Sequence, residues 1–120
     1  MSRDHRKLRV FILADDLVVT VYQASAGFPA AERFGLQAQI RRAAVSVPSC
    51  IVEGSARRST KEYLNFLNIA AGSASEVRYL AELSHRLGFM TADAQQTISA
   101  RYTELVAGLQ ALIKALSHEP

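Results

Sequence analysis

The sequence predicts an all-α protein, an antiparallel up-down-up-down four-helix bundle whose second helix is kinked at Pro48. Three observations predict it. Apolar residues recur every three or four positions through four long segments, the period of a helix with a buried face. Stop and start signals, namely Gly27 with Pro29, Ser59, Gly88 and Thr91, separate those segments. The composition is 49% apolar with six glycines, three prolines and no tryptophan, which leaves too little turn chemistry for an all-β chain. A chain of 120 residues is expected to form one domain over 1–120 with room for a real core.

Residues 1–7 include Arg3, Arg6 and Lys7 and read as a flexible basic arm. The first helix is predicted from about Leu8 to Ala26. Val10, Ala14, Leu17, Val18 and Val21 make its core face, with Phe11 and Tyr22 at the borders. Ile12 and Val19 lie roughly opposite, near Asp15 and Asp16. Gly27 to Gly35 is the longest connection. Gly27 suits a helix C-cap, Pro29 prevents the helix from continuing, and Phe28 and Phe34 are expected to tuck the loop against the bundle end.

The second helix organises the chain. Leu36, Ile40, Ala43, Ala44, Val47, Ile51 and Gly54 fall within about 100° of arc on a helical wheel. Gln39, Arg42, Ser46, Ser49, Glu53 and Arg57 form a polar stripe beside them, and Val45, Pro48 and Val52 make a second, smaller apolar face. Two apolar faces on one helix of a small domain point to self-association. Pro48 lacks the N–H that would bond the Ala44 carbonyl, yet the apolar spacing passes through it without a change of phase, so a kinked continuous helix is expected.

Ser59-Thr60-Lys61-Glu62 fits a capping box and opens a third helix from about Thr60 to Leu87. Only Arg57 and Arg58 remain as connection, which makes helices 2 and 3 antiparallel neighbours. Tyr63, Phe66, Leu67, Ala70, Ser73, Ala74, Val77, Leu80, Ala81, Ser84 and Leu87 face inward, and the small residues from Ala70 to Ser75 permit close helix approach. Leu87-Gly88-Phe89 reads as a Schellman ending with Gly88 left-handed. Thr91 caps the last helix, whose narrow stripe runs through Ala94, Ile98, Tyr102, Leu105, Leu109, Leu112, Ile113 and Leu116.

The run Gln39-Ile-Arg-Arg-Ala-Ala-Val-Ser-Val-Pro-Ser-Cys-Ile-Val-Glu-Gly54, with Lys61-Glu-Tyr-Leu-Asn-Phe-Leu67 and Ile69-Ala-Ala-Gly-Ser-Ala-Ser-Glu76, resembles the four-helix bundle family of 23S rRNA intervening-sequence proteins. That family includes the accessory variability determinant of diversity-generating retroelements. The likeness extends over nearly the whole chain, from Val21-Tyr22 and Phe28-Pro29 to Leu87-Gly88. The departures are Cys50 and Val52, where asparagine and alanine are expected. The resemblance implies a bundle that assembles into a ring, a homopentamer. In the retroelement branch it implies binding of nucleic acid and of a reverse transcriptase; in the intervening-sequence branch it implies no established activity.

Net charge is +3, unevenly spread: residues 1–61 hold ten Lys or Arg against five acids, and residues 62–120 four against six. Such a basic half suits an anionic polymer or, equally, a solvated surface. One cysteine excludes an intrachain disulfide framework and suits a reducing cytoplasm, the expected location. The run from Val10 to Ala14 resembles a signal peptide only faintly, because Asp15 and Asp16 end it too soon. No stretch approaches the ~18 apolar residues of a membrane span.

No catalytic, metal or cofactor site is expected. Glu82-Leu-Ser-His85 has the E-x-x-H spacing of di-iron bundles, but one copy without further inward glutamates is incomplete. Cys50 has no histidine placed to activate it, and Gly54-Ser-Ala-Arg57 lacks the spacing of a phosphate loop. The leading expectation is a non-enzymatic oligomer that binds the RNA or DNA backbone through Arg57, Arg58, Lys61 and Arg33. The alternative is a protein-interaction scaffold with no nucleic-acid role. Arg42, Ser46, Glu53, Ser73 and Glu76 are expected to form a structural polar network, and Ile12, Val19, Val45 and Val52 an oligomer interface.

Overall fold

Each predicted apolar stripe becomes a helix in the computed structural model, which describes residues 4–118. A 3-10 turn, His5–Lys7, leads into α1 (Arg9–Ser25). A second 3-10 turn, Ala30–Glu32, precedes α2 (Leu36–Ser55), followed by α3 (Thr60–Arg86) and α4 (Ala92–Ser117). No strand occurs among the described residues. Helix α1 packs on α2 and α4, and α3 packs on the same two; among the described residues neither diagonal pair brings Cα atoms within 8 Å. The chain measures 49 × 23 × 19 Å.

The core lies where the four stripes meet. Ile40 and Ile51 of α2, Tyr63 and Leu67 of α3, and Ile98, Tyr102, Leu105 and Leu109 of α4 are fully buried, and α1 adds Ala14, Leu17 and Val21. Burial of each large apolar side chain stabilises by roughly 1.5–3 kcal/mol. Helices α1 and α4 meet closely at one small residue: a Cβ built on Gly108 would stand 2.9 Å from Val10 Cγ1. Among the described residues, the hydroxyls of Ser84 and Tyr102 are enclosed without a hydrogen-bond partner. Burial pushes the Tyr102 phenol well above the ordinary tyrosine range.

The helix ends follow local chemistry. Ser59 Oγ accepts from the Glu62 amide at 3.1 Å and Thr91 Oγ1 from the Ala94 amide at 3.2 Å. The return bond of the capping box, from the Glu62 side chain, does not form among the described residues. Gly88 is left-handed at φ 81°, and the Phe89 amide donates to the Ser84 carbonyl at 2.8 Å, the predicted Schellman ending. Phe89 leans toward Phe28, ring centroids 6.0 Å apart, so the α1–α2 and α3–α4 connections meet at one end of the molecule.

That end departs from expectation in two ways. Gly27 is not left-handed, because α1 is capped from outside: Gln37 Nε2 donates to the Ser25 carbonyl at 2.9 Å, and Arg41 Nη2 to the Tyr22 carbonyl at 3.1 Å. Donors from α2 thus reach carbonyls in the last turn of α1, where the Ser25 carbonyl also accepts from the Phe28 amide at 3.2 Å, and the Arg41 charge suits the negative end of the helix dipole. Phe34 does not tuck in. Phe28 fills the space against Phe89, and Phe34 stands 89% exposed. Helix α2 begins on Gly35, which has no capping side chain; the Glu32 carboxylate accepts from the Leu36 amide at 2.9 Å instead.

At the N-terminus, Asp4 caps the 3-10 turn, and hydrogen bonds from the Arg6 side chain and amide hold its carboxyl below the usual carboxylate range. Of the expected arm, residues 1–3, and so Arg3, lie outside the described residues.

Candidate nucleic-acid interface

Helix α2 carries basic residues at both ends, and their local geometry differs. At the C-terminal end, the helix stops at Ser55 and α3 starts at Thr60, which crowds Arg57, Arg58 and Lys61 onto one tight turn. All three are exposed. The Arg57 guanidinium lies 5.0 Å from the centre of the Phe66 ring, so its stem is braced against α3. Arg58 and Lys61 make no hydrogen bond or ion pair among the described residues.

Arg33 is not part of that cluster. It sits before α2, a helix of 20 residues and therefore about 30 Å long, at the opposite end from Arg57. Its companions are Arg41 and Arg42. Arg41 is the best anchored of the three: its guanidinium lies 4.4 Å from the Tyr22 ring centre, and Nε donates to Ser25 Oγ at 2.9 Å. Arg33 lies 5.4 Å from the ring centre of Phe34. These groups edge an open groove of about 650 Å³ between α1 and the start of α2, whose lining contains three arginines and no acid. Glu32, the nearest acid in sequence, turns its carboxylate to the Leu36 amide.

Periodicity did not join Arg41 to the Tyr22 ring. Tyr22 and Arg41 are 19 positions apart, so no local spacing joins them. The available signal was a pair of adjacent arginines one helix away from an aromatic residue at the border of α1.

Of the predicted polar network, only one link closes. Ser46 and Ser73 hydroxyls are hydrogen-bonded at 2.9 Å between α2 and α3, with Cys50 Sγ 3.7 Å from Ser46 Oγ. Arg42 and Glu53 are exposed and Glu76 half-buried, and none of these three has a hydrogen-bond or ion-pair partner among the described residues. Adjacency on a helical wheel put them on one stripe, but charged side chains on a stripe open to water stay hydrated.

The predicted interface residues are all exposed: Ile12 50%, Val19 57%, Val45 38% and Val52 37%. They do not share one groove. Val45 and Val52 line a shallow groove between α1 and α2, whereas Ile12 lines another between α1 and α4. Pro48, assigned to the same outer face, is buried.

Glu82 and His85 are exposed, His85 Nδ1 lies 3.0 Å from the Met90 carbonyl, and no cluster of metal-ligating groups occurs among the described residues. Cys50 is a buried free thiol. Among the described residues no helix is long and apolar enough to cross a membrane.

Four helices, each packed on two neighbours, with arginines near both ends of α2, define a small all-α bundle protein. The chain belongs to the 23S rRNA-intervening sequence protein family, whose model matches residues 6–111. It is similar to the crystal structure of a protein with unknown function from the S23 ribosomal protein family of Bacteroides thetaiotaomicron. That likeness has 25% identity and a TM-score of 0.82 over 95% of this chain and 99% of that one. Comparison with curated proteins gives no match.

Proposed function

We propose that this protein is a non-enzymatic, oligomeric helical bundle that binds the phosphate backbone of RNA or DNA in the cytoplasm. The observation that carries the reading is the lack of acidic partners: Arg33, Arg41, Arg42, Arg58 and Lys61 form no ion pair among the described residues. A charge held by neutral oxygens or by water remains available to a phosphate. In this reading the helices run up-down-up-down and α2 bends at Pro48. Phe11 and Val52 lining one groove, and Tyr22 beside Arg41, support that course for α1 and α2. Self-association, as the homopentamer that the family resemblance implies, would repeat each basic cluster around a ring and raise its avidity.

The test is RNA and DNA binding by the purified protein at low and moderate salt, alongside the Arg57→Glu/Arg58→Glu and Arg33→Glu/Arg42→Glu variants. Affinity should fall steeply with salt, with a log–log slope of roughly −0.7 to −0.9 per phosphate neutralised, and should drop in both variants. Absence of binding at low salt would sink the reading.

A second reading is a protein-interaction scaffold, favoured by the exposed apolar side chains of Ile12, Val19, Val45 and Val52. A partner complex indifferent to salt and lost on charging those positions would support it.

A further inference from the structure

We propose that the groove between α1 and the start of α2 is a site for single-stranded nucleic acid, in which an unpaired base stacks on Phe34 while Arg33 and Arg42 hold the flanking phosphates. The inference rests on the phosphate-binding reading above and adds to it the strand state and the residues that select it.

Phe34 carries the argument. A phenylalanine that is 89% exposed leaves nearly its whole ring in water, although Phe28, six positions earlier, found a buried place against Phe89. The exposed ring shares its groove with the apolar side chains of Tyr22, Ala38 and Val45, and arginines surround them. Arg33 lies beside it, and Arg41, Arg42 and Tyr22 line the same groove with no acid among them. Interleaved rings and guanidinium groups without acids match nucleotides, which pair a flat apolar face with a negative linkage. A duplex conceals its base faces within the stack, so only an unpaired strand can offer one to Phe34. The site is also braced. Arg41 is fixed to α1 by two hydrogen bonds and by the Tyr22 ring, and Glu32 is drawn away to the α2 amide. The turn at Arg57, Arg58 and Lys61 offers no exposed ring, since Phe66 is half-buried beneath Arg57.

The experiment measures binding of the full-length protein to an oligouridylate of ~12 nucleotides and to its duplex with oligoadenylate, at low salt. Wild-type protein is compared with Phe34→Ala, and sedimentation of both is recorded. Because Phe34 is 89% exposed, the alanine variant should fold normally. The expected result is a loss of roughly 5- to 150-fold in single-strand affinity with duplex affinity unchanged. In Phe34→Trp, the sole tryptophan of the chain should be quenched by the single strand and not by the duplex. Unchanged single-strand affinity in Phe34→Ala, with binding still abolished by Arg57→Glu/Arg58→Glu, would overturn the groove proposal and leave phosphate binding standing. Absence of binding to either probe would overturn both. Dissociation of the assembly by Phe34→Ala would overturn the proposal by assigning the groove to a second copy of the chain.

Discussion

Gly54 of α2 and Phe66 of α3 stand so close that a Cβ on the glycine would lie 2.8 Å from the phenylalanine Cβ. The second contact, to Tyr63 Cδ1, would be 3.0 Å. Neither neighbour is the loose end of a flexible side chain, so an added methyl group must push the helices apart. Gly54→Ala should destabilise the protein by about 1–3 kcal/mol, despite the roughly 1 kcal/mol by which alanine favours a helix. Gly72 is the matched control: nothing lies within 4 Å of its notional Cβ. Gly72→Ala should raise the denaturant midpoint, by about 0.5–1 kcal/mol of stability. Equal effects of the two substitutions in chemical denaturation would refute the close-approach account.

Tyr102 encloses a hydroxyl with no partner. Removing an unsatisfied buried hydroxyl without changing the ring should be neutral or stabilising, by up to about 1–3 kcal/mol, so Tyr102→Phe should melt no lower than wild type. The pH dependence has a definite sign. The folded-state pKa is raised, so above pH ~10 the unfolded chain releases this proton first. Stability is fully present below that point and declines above it, by up to about 1.4 kcal/mol per pH unit. The phenylalanine variant should lose this alkaline slope.

Glu32 serves a helix that lacks its own cap. Glu32→Ala leaves the Leu36 amide without its acceptor, and the carboxylate near the positive end of α2 is lost with it. The expected loss is about 0.5–2 kcal/mol in thermal or chemical denaturation. Glu32→Gln keeps an acceptor without the charge and should fall between the two. An alanine variant as stable as wild type would show that water replaces the cap.

Val19 and Val52 are the most direct probes of self-association, both exposed on outer faces. Val19→Glu and Val52→Glu should leave the monomer fold intact, since neither side chain is in the core, and should shift sedimentation toward the monomer. An unchanged assembly, or a wild-type protein that sediments as a monomer, removes these residues from any interface.

Helix ends were the most legible part of the chain because their chemistry is local. Ser59, Thr91 and Gly88 each act on backbone groups within five positions and do so in the structure, although the Glu62 half of the capping box and the Gly27 cap do not form among the described residues. Contacts across helices were less legible. Ser46 and Ser73 do meet, but Arg42, Glu53 and Glu76 share their stripe without joining them, because periodicity fixes a direction and not a partner. Phe34 was misread for a related reason. The loop held two phenylalanines and the bundle end had one place to fill, and Phe28 took it against Phe89. Arg33 and Arg57 looked alike as surface arginines, although a whole helix separates them.

The meeting of Val10 with Gly108 has a kinetic consequence. Helices α2 and α3, like α3 and α4, are neighbours joined by short turns, so each pair closes a small loop. The α1–α4 contact closes nearly the whole chain and carries the largest loss of chain entropy before any contact repays it. That seam should therefore be absent when the folding barrier is crossed and complete only afterwards. Val10→Ala should speed unfolding and barely alter the refolding rate, whereas Leu67→Ala in the middle of α3 should slow refolding.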